Sequence, residues 1–135
     1  MILLDTNVIS AMRRPDRNTA VAAWAASIED DGFFLSVISV MEIERGVARM
    51  RAKDSLQADM LQRWFTVVLN DYEERILPLS IPIARRWGQL SQQAGNSGAD
   101  LAIAATALVH GLTIATRNIS DFEGTGAATV NPFVK

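Results

Sequence analysis

The chain contains no cysteine and a single histidine, His110. Disulfides and iron–sulfur clusters are thereby excluded, and ordinary zinc sites nearly so, because zinc is held by thiolate and imidazole. Any metal must be held mainly by oxygen. Lysine is almost as scarce: 11 of the 13 basic residues are arginine, leaving Lys53 and Lys135. No apolar run approaches the ~20 residues needed to cross a bilayer, so no membrane-spanning segment is expected. The N-terminus shows neither the basic flank nor the long apolar stretch of a secretory signal, because MILL meets Asp5 at once. A cytoplasmic address is expected. Nor is there an excess of positive charge: 13 basic and 15 acidic residues leave a net −2. Any attraction for nucleic acid must come from a local basic rim.

What is present is a core. The 135 residues, 49% of them hydrophobic, fit one domain covering 1–135, with no repeat, linker or low-complexity tract. The runs ILL (2–4), FFLSV (33–37), ILPL (76–79) and LTIAT (112–116) read as short strands buried on both faces, since they do not alternate. Helical periodicity occupies 19–30, 40–51, 55–70, 82–94 and 99–110, with Pro82 suited to a first helical position and Gly111 to a C-terminal stop. Strands alternating with helices imply crossovers, hence an α/β fold: a central, mostly parallel sheet of four or five short strands with helices on both faces. Ligands of such sheets sit beyond the carboxyl ends of the strands.

Four acids fall at that edge. Asp5 ends the first strand, Glu42 follows the second, Asp100 opens the helix feeding LTIAT, and Asp121 lies just past it. Each has an ordinary explanation. Ser39-x-x-Glu42 and Ser97-x-x-Asp100 have the form of capping boxes, Asp5 can cap a short helix near Asn7, and Asp121 suits a turn. Together they pose a different problem. Carboxylates about 6 Å apart repel by roughly 2–3 kcal/mol per pair at an effective dielectric of about 20, more than the ~1 kcal/mol a cap contributes. Protons or a cation must neutralise such a cluster, and a hard divalent ion with oxygen ligands does so while inviting phosphodiester chemistry. The lone His110 falls at a helix C-terminus, where it suits the last carbonyls and not a nucleophilic triad.

The order LLDTNVIS, SVISVMEIERG, ADLAIAATALVHGLTIATRNISDF and a closing NPF resembles the PIN-domain ribonucleases, and within them the VapC-type, FitB-like toxins of type II toxin–antitoxin pairs. The resemblance covers nearly the whole chain. It implies a three-layer α/β/α PIN-like domain and a Mg²⁺- or Mn²⁺-dependent endoribonuclease, with Asp5, Glu42, Asp100 and Asp121 binding metal and activating water. Thr6, Ser39, Thr116 and Asn118 match polar positions where the family orients carboxylates or waters. It further implies RNA as substrate, growth inhibition until a cognate antitoxin neutralises the toxin, a homodimer, and DNA contact only through the antitoxin. One departure is visible: many relatives carry proline shortly before the third acid, where this chain has Gly95-Asn96-Ser97-Gly98, which implies a looser loop.

A mean hydropathy of +0.13 is compatible with a dimer interface. Trp24, Trp64 and Trp87 lie on helices, and core filling is the simpler role for at least two of these. For RNA phosphates, Arg45 and Arg49 are four apart on the helix that starts with Glu42 and so share a face, and Arg117 follows LTIAT; Arg13, Arg14 and Arg17 are further basic positions. Two other functions compete. A non-catalytic module would use the acidic cleft to receive an arginine-bearing partner segment. A phosphatase or phospho-receiver would want a second acid near the first and a lysine after a later strand, where this chain has Asn7 and Arg117.

Overall fold

A computed structural model of the chain describes residues 1–29 and 32–134. Five parallel strands form one sheet in the order β3-β2-β1-β4-β5: β1 (Ile2–Leu4), β2 (Phe33–Ser36), β3 (Ile76–Leu77), β4 (Thr113–Ala115) and β5 (Thr129–Val130). Because every pair is parallel, all the strands point their carboxyl ends to one edge. The chain winds from β1 out to β3, then returns to lay β4 on the other side of β1, so the winding direction switches between β1 and β4.

Alternation within the short strands feeds two cores. Leu3 and Ile114 face one side, with Ile83, Leu90 and Leu101–Ala107; Leu4, Phe33 and Leu35 face the other, with Val8, Val21, Ile43 and Phe65. The second layer holds α1 (Thr6–Met12), α2 (Thr19–Ala26), α3 (Val37–Arg51) and α4 (Ser55–Asp71); the third holds α5 (Ile81–Ala94) and α6 (Ala99–His110). This is the three-layer α/β/α arrangement expected. Each fully buried Leu, Ile or Phe stabilises it by about 1.5–3 kcal/mol.

The boundaries differ from expectation where caps decide them. Helix α3 starts at Val37, not at 40, because the buried Ser36 Oγ accepts the Ile38 N–H at 3.0 Å. Ser39 and Glu42 are therefore inside the helix, and no capping box joins them. Nor does Ser97 cap α6: Gly98 holds that position without a side-chain bond. Helix α2 ends at Ala26, short of the expected 19–30, and Asp30 lies outside the described residues. Pro82 takes the second helical position behind the cap Ser80. Strand β3 stops before Pro78, which has no N–H for the ladder. The Ala107 carbonyl near the end of α6 is taken by Gly111 and Leu112 N–H groups, leaving His110 exposed and without that role. Strand β5 is the fifth of the four or five strands expected; no apolar run marks its place, because it is only two residues long.

Candidate active site

At the switch between β1 and β4, Asp5 is 7% exposed. Its N–H continues the ladder to Ala115 O, and its Oδ1 caps α1 by accepting the Thr6 N–H at 2.8 Å. Oδ2 accepts from Thr116 Oγ1 at 2.7 Å and from Asn7 Nδ2 at 3.4 Å. Burial pushes the Asp5 carboxyl above its usual range; the Thr116 and Thr6 donors oppose that shift, while the charges of Glu42 and Asp121 add to it.

Glu42 reaches the same place from α3. Its Oε1 accepts from Thr6 Oγ1 at 2.6 Å, and the Thr6 hydroxyl also lies 3.0 Å from the buried Ser39 Oγ. Ser39 and Glu42, three residues apart on α3, thus present one face to the first turn of α1. The Thr116 hydroxyl accepts the Asn118 N–H at 3.0 Å, so Asn118 enters the network through its backbone.

Asp100 and Asp121 approach from the other side. Half-buried Asp100 occupies the first turn of α6, and exposed Asp121 sits on a 3-10 turn, Ile119–Phe122, that follows β4. Both line a groove of about 410 Å³ with Gln93, Asn96, Glu123 and Thr125. Burial raises the Asp100 pKa first, and the charges of Asp121, Asp5 and Glu42 raise it further. The loop before Asp100 is pinned by Asn96 Oδ1, which accepts the Gly98 N–H at 3.0 Å.

The structure thus brings Glu42 and Asp121 within electrostatic reach of both Asp5 and Asp100, around a crevice at the β1/β4 switch. Among the described residues, neither the Asp100 nor the Asp121 carboxylate accepts a hydrogen bond, and the ion pair present, Arg51–Asp59 at 2.9 Å, lies elsewhere, joining α3 to α4. Oxygen donors that form no ion pair with a described basic side chain match the chemistry of a hard divalent cation. No three acidic or histidine side chains among the described residues close in tightly enough to grip one ion unaided. Charge acts over a longer range than coordination, so the two observations agree.

Arg45 and Arg49 are exposed on α3, while the Arg117 guanidinium lies over the Phe133 ring, 3.9 Å from its centroid. Arg13 approaches Trp64 at 6.0 Å. The three tryptophans are half-buried against the cores.

A family model, the PIN domain, matches residues 2–126. The chain belongs to the PIN-domain family. It is 38% identical to the toxin FitB of Neisseria gonorrhoeae across 98% of this chain and 99% of that protein. It is equally 38% identical to the VapC ribonuclease Y4jK of Sinorhizobium fredii, with 98% of each covered. The crystal structure of FitAcB from Neisseria gonorrhoeae superposes with a TM-score of 0.87 at 38% identity over the whole of both chains. The family resemblance read from the motifs therefore holds across the PIN domain. Sequence reasoning missed Asn7 as a partner of Asp5, although D-T-N places it two residues away; its other partner, the Arg117 N–H at 3.1 Å, is 110 residues distant. Ser36 was also missed, and an S followed by a helical run was its available signal.

Proposed function

We propose that this PIN domain is a Mg²⁺- or Mn²⁺-dependent endoribonuclease serving as the toxin of a type II toxin–antitoxin pair. The observation that carries the reading is the pair Asp5 and Asp100, set at the β1/β4 crevice and driven toward protonation by burial and neighbouring acids, with no cationic side chain among the described residues offsetting those charges. Asp5, Glu42, Asp100 and Asp121 would hold the cation, in part through water, which magnesium retains readily. Such an ion, when bound, lowers the pKa of a water and neutralises charge on a phosphodiester. The chain supplies orientation: Thr6 and Thr116 aim Asp5, Thr6 with Ser39 aims Glu42, and the Asn118 amide holds Thr116. Arg45, Arg49 and Arg117 are the groups assigned to RNA phosphates.

Relatives support the role by name, as a toxin and as VapC ribonucleases. Similar structures include FitAB bound to a DNA fragment and a toxin–antitoxin complex from Klebsiella pneumoniae. On the family resemblance carried by the motifs, we take the protein to be a cytoplasmic homodimer that arrests growth until a cognate antitoxin binds, and that meets DNA only through the antitoxin. The Asp5→Asn variant is expected to lose manganese-dependent RNA cleavage by more than about 100-fold, beyond the loss typical of removing a group behind a ligand. Its circular dichroism should match the parent, and its expression should no longer stop growth. Wild-type cleavage by that variant overturns the reading. The absence of a ready-made cage among the described residues favours one alternative, a non-catalytic cleft that receives an arginine-bearing segment. Tight partner binding without cleavage in either metal would establish it.

A further inference from the structure

The NPF segment near the C-terminus reaches back to the acidic crevice. After the Thr116 N–H donates to Val130 O at 2.9 Å, Asn131 Nδ2 donates to Arg117 O at 3.4 Å, while its Oδ1 accepts the Phe133 N–H at 2.9 Å. The Phe133 ring carries the Arg117 guanidinium at 3.9 Å, and Pro132 between them is buried and limited in φ. On its other side Arg117 donates its N–H to Asn7 Oδ1 at 3.1 Å, and Asn7 Nδ2 donates to Asp5 Oδ2 at 3.4 Å. The neighbouring Asn118 N–H meets Thr116 Oγ1, which donates to the same Asp5 oxygen. Both donors on Asp5 Oδ2 are thus held by the turn 116–118, and that turn is gripped from behind by residues 131–133.

We propose that Asn131 and Phe133 are positioning residues for the acidic crevice: by holding the Arg117 carbonyl and guanidinium, they set the Asn7 and Thr116 groups that aim Asp5. Individually the 3.4 Å bonds are weak. Collectively, Arg117 is restrained at its N–H, its carbonyl and its side chain, and the 3-10 turn bearing Asp121 begins directly after Asn118. Amides suit this duty because they fasten the turn without adding charge to a crowded anionic site.

The catalytic consequence rests on the metal reading above; the strap itself does not. The test is the full chain carrying Asn131→Ala with Phe133→Leu, the latter keeping apolar packing, alongside Asn131→Ala alone in case the pair fails to fold. Amide exchange by NMR without metal should be about tenfold faster at Arg117 and Asn118 and unchanged at Leu3 and Ile114. Manganese affinity by calorimetry should fall about tenfold, the lower end for a group behind a ligand. Phe133→Tyr as a single change, which keeps the ring face and Asn131, should match the parent in both. Unaltered exchange at Arg117 overturns the proposal. If the parent protein takes up no manganese, the metal reading fails while the exchange rates still decide the strap.

Discussion

Asp5 is pulled in two directions. As the cap of α1 it favours ionisation, since the Thr6 N–H and the Thr116 hydroxyl point at its oxygens, whereas burial and the charges of Glu42 and Asp121 favour the proton. Thr116→Val, isosteric at a fully buried position, removes the donor and leaves the Asn118 N–H without its acceptor. Manganese affinity is then expected to drop by about 10–100-fold, with the acid limb of the cleavage profile moving to higher pH. An unchanged affinity by calorimetry would count against Thr116 as the group that aims Asp5. At this scale the acids were legible, because a carboxylate ending an apolar strand is conspicuous in one dimension. Their partners were reached only through the family resemblance, or, like Asn7, not at all. Hydrogen bonds between Thr6 and Ser39 or Thr116 and Asp5 join residues 33 and 111 positions apart.

Among the helices, caps decide which side chains reach the crevice. Ser36 starts α3, which puts Ser39 and Glu42 one turn inside and facing Thr6. Ser36→Ala should lower stability by about 1 kcal/mol, the usual cost of a lost N-cap, and the melting midpoint by about 3–5 °C for a domain of this size. Ser97→Ala, in an exposed loop ahead of the true cap Gly98, should stay within about 0.5 kcal/mol. Calorimetric melts giving the reverse ranking would restore the Ser97-x-x-Asp100 capping box. Helices with clear periodicity were legible to within a few residues, 99–110 being the clearest case. The start of α3 was misplaced because SVISV is apolar throughout, and periodicity cannot separate the end of a buried strand from the first turn of a buried helix.

For the whole molecule, folded metal-free protein keeps protons on Asp5 and Asp100 to higher pH than the unfolded chain does. The folded state binds more protons in that window, so stability falls as pH rises from the usual aspartate value of about 3.9 through the raised values. Melts of metal-free protein should therefore gain a contribution from these two groups on acidification from neutral pH toward the usual aspartate value of about 3.9. Asp5→Asn with Asp100→Asn should abolish that contribution. Manganese at about 100 times its dissociation constant should stabilise the parent at pH 7 by about 2.7 kcal/mol and leave the double variant unmoved. An identical pH slope in parent and variant would show that the crevice carries no such strain.

Taken alone, the amino-acid order determined the architecture and the location of the acids. Buried strands separated by helices longer than ten residues admit few arrangements besides a parallel sheet covered on both faces, and such a sheet sends every strand end to one edge. The tertiary structure decided what those ends do to one another. Which carboxylate loses most solvent, which hydroxyl aims it, and how Asn131 and Phe133 fasten Arg117 all depend on approaches between residues far apart in the chain. Periodicity reports only what lies within a few residues along one element. Burial and hydrogen bonding across β1, β4 and β5 exist only once the sheet has closed.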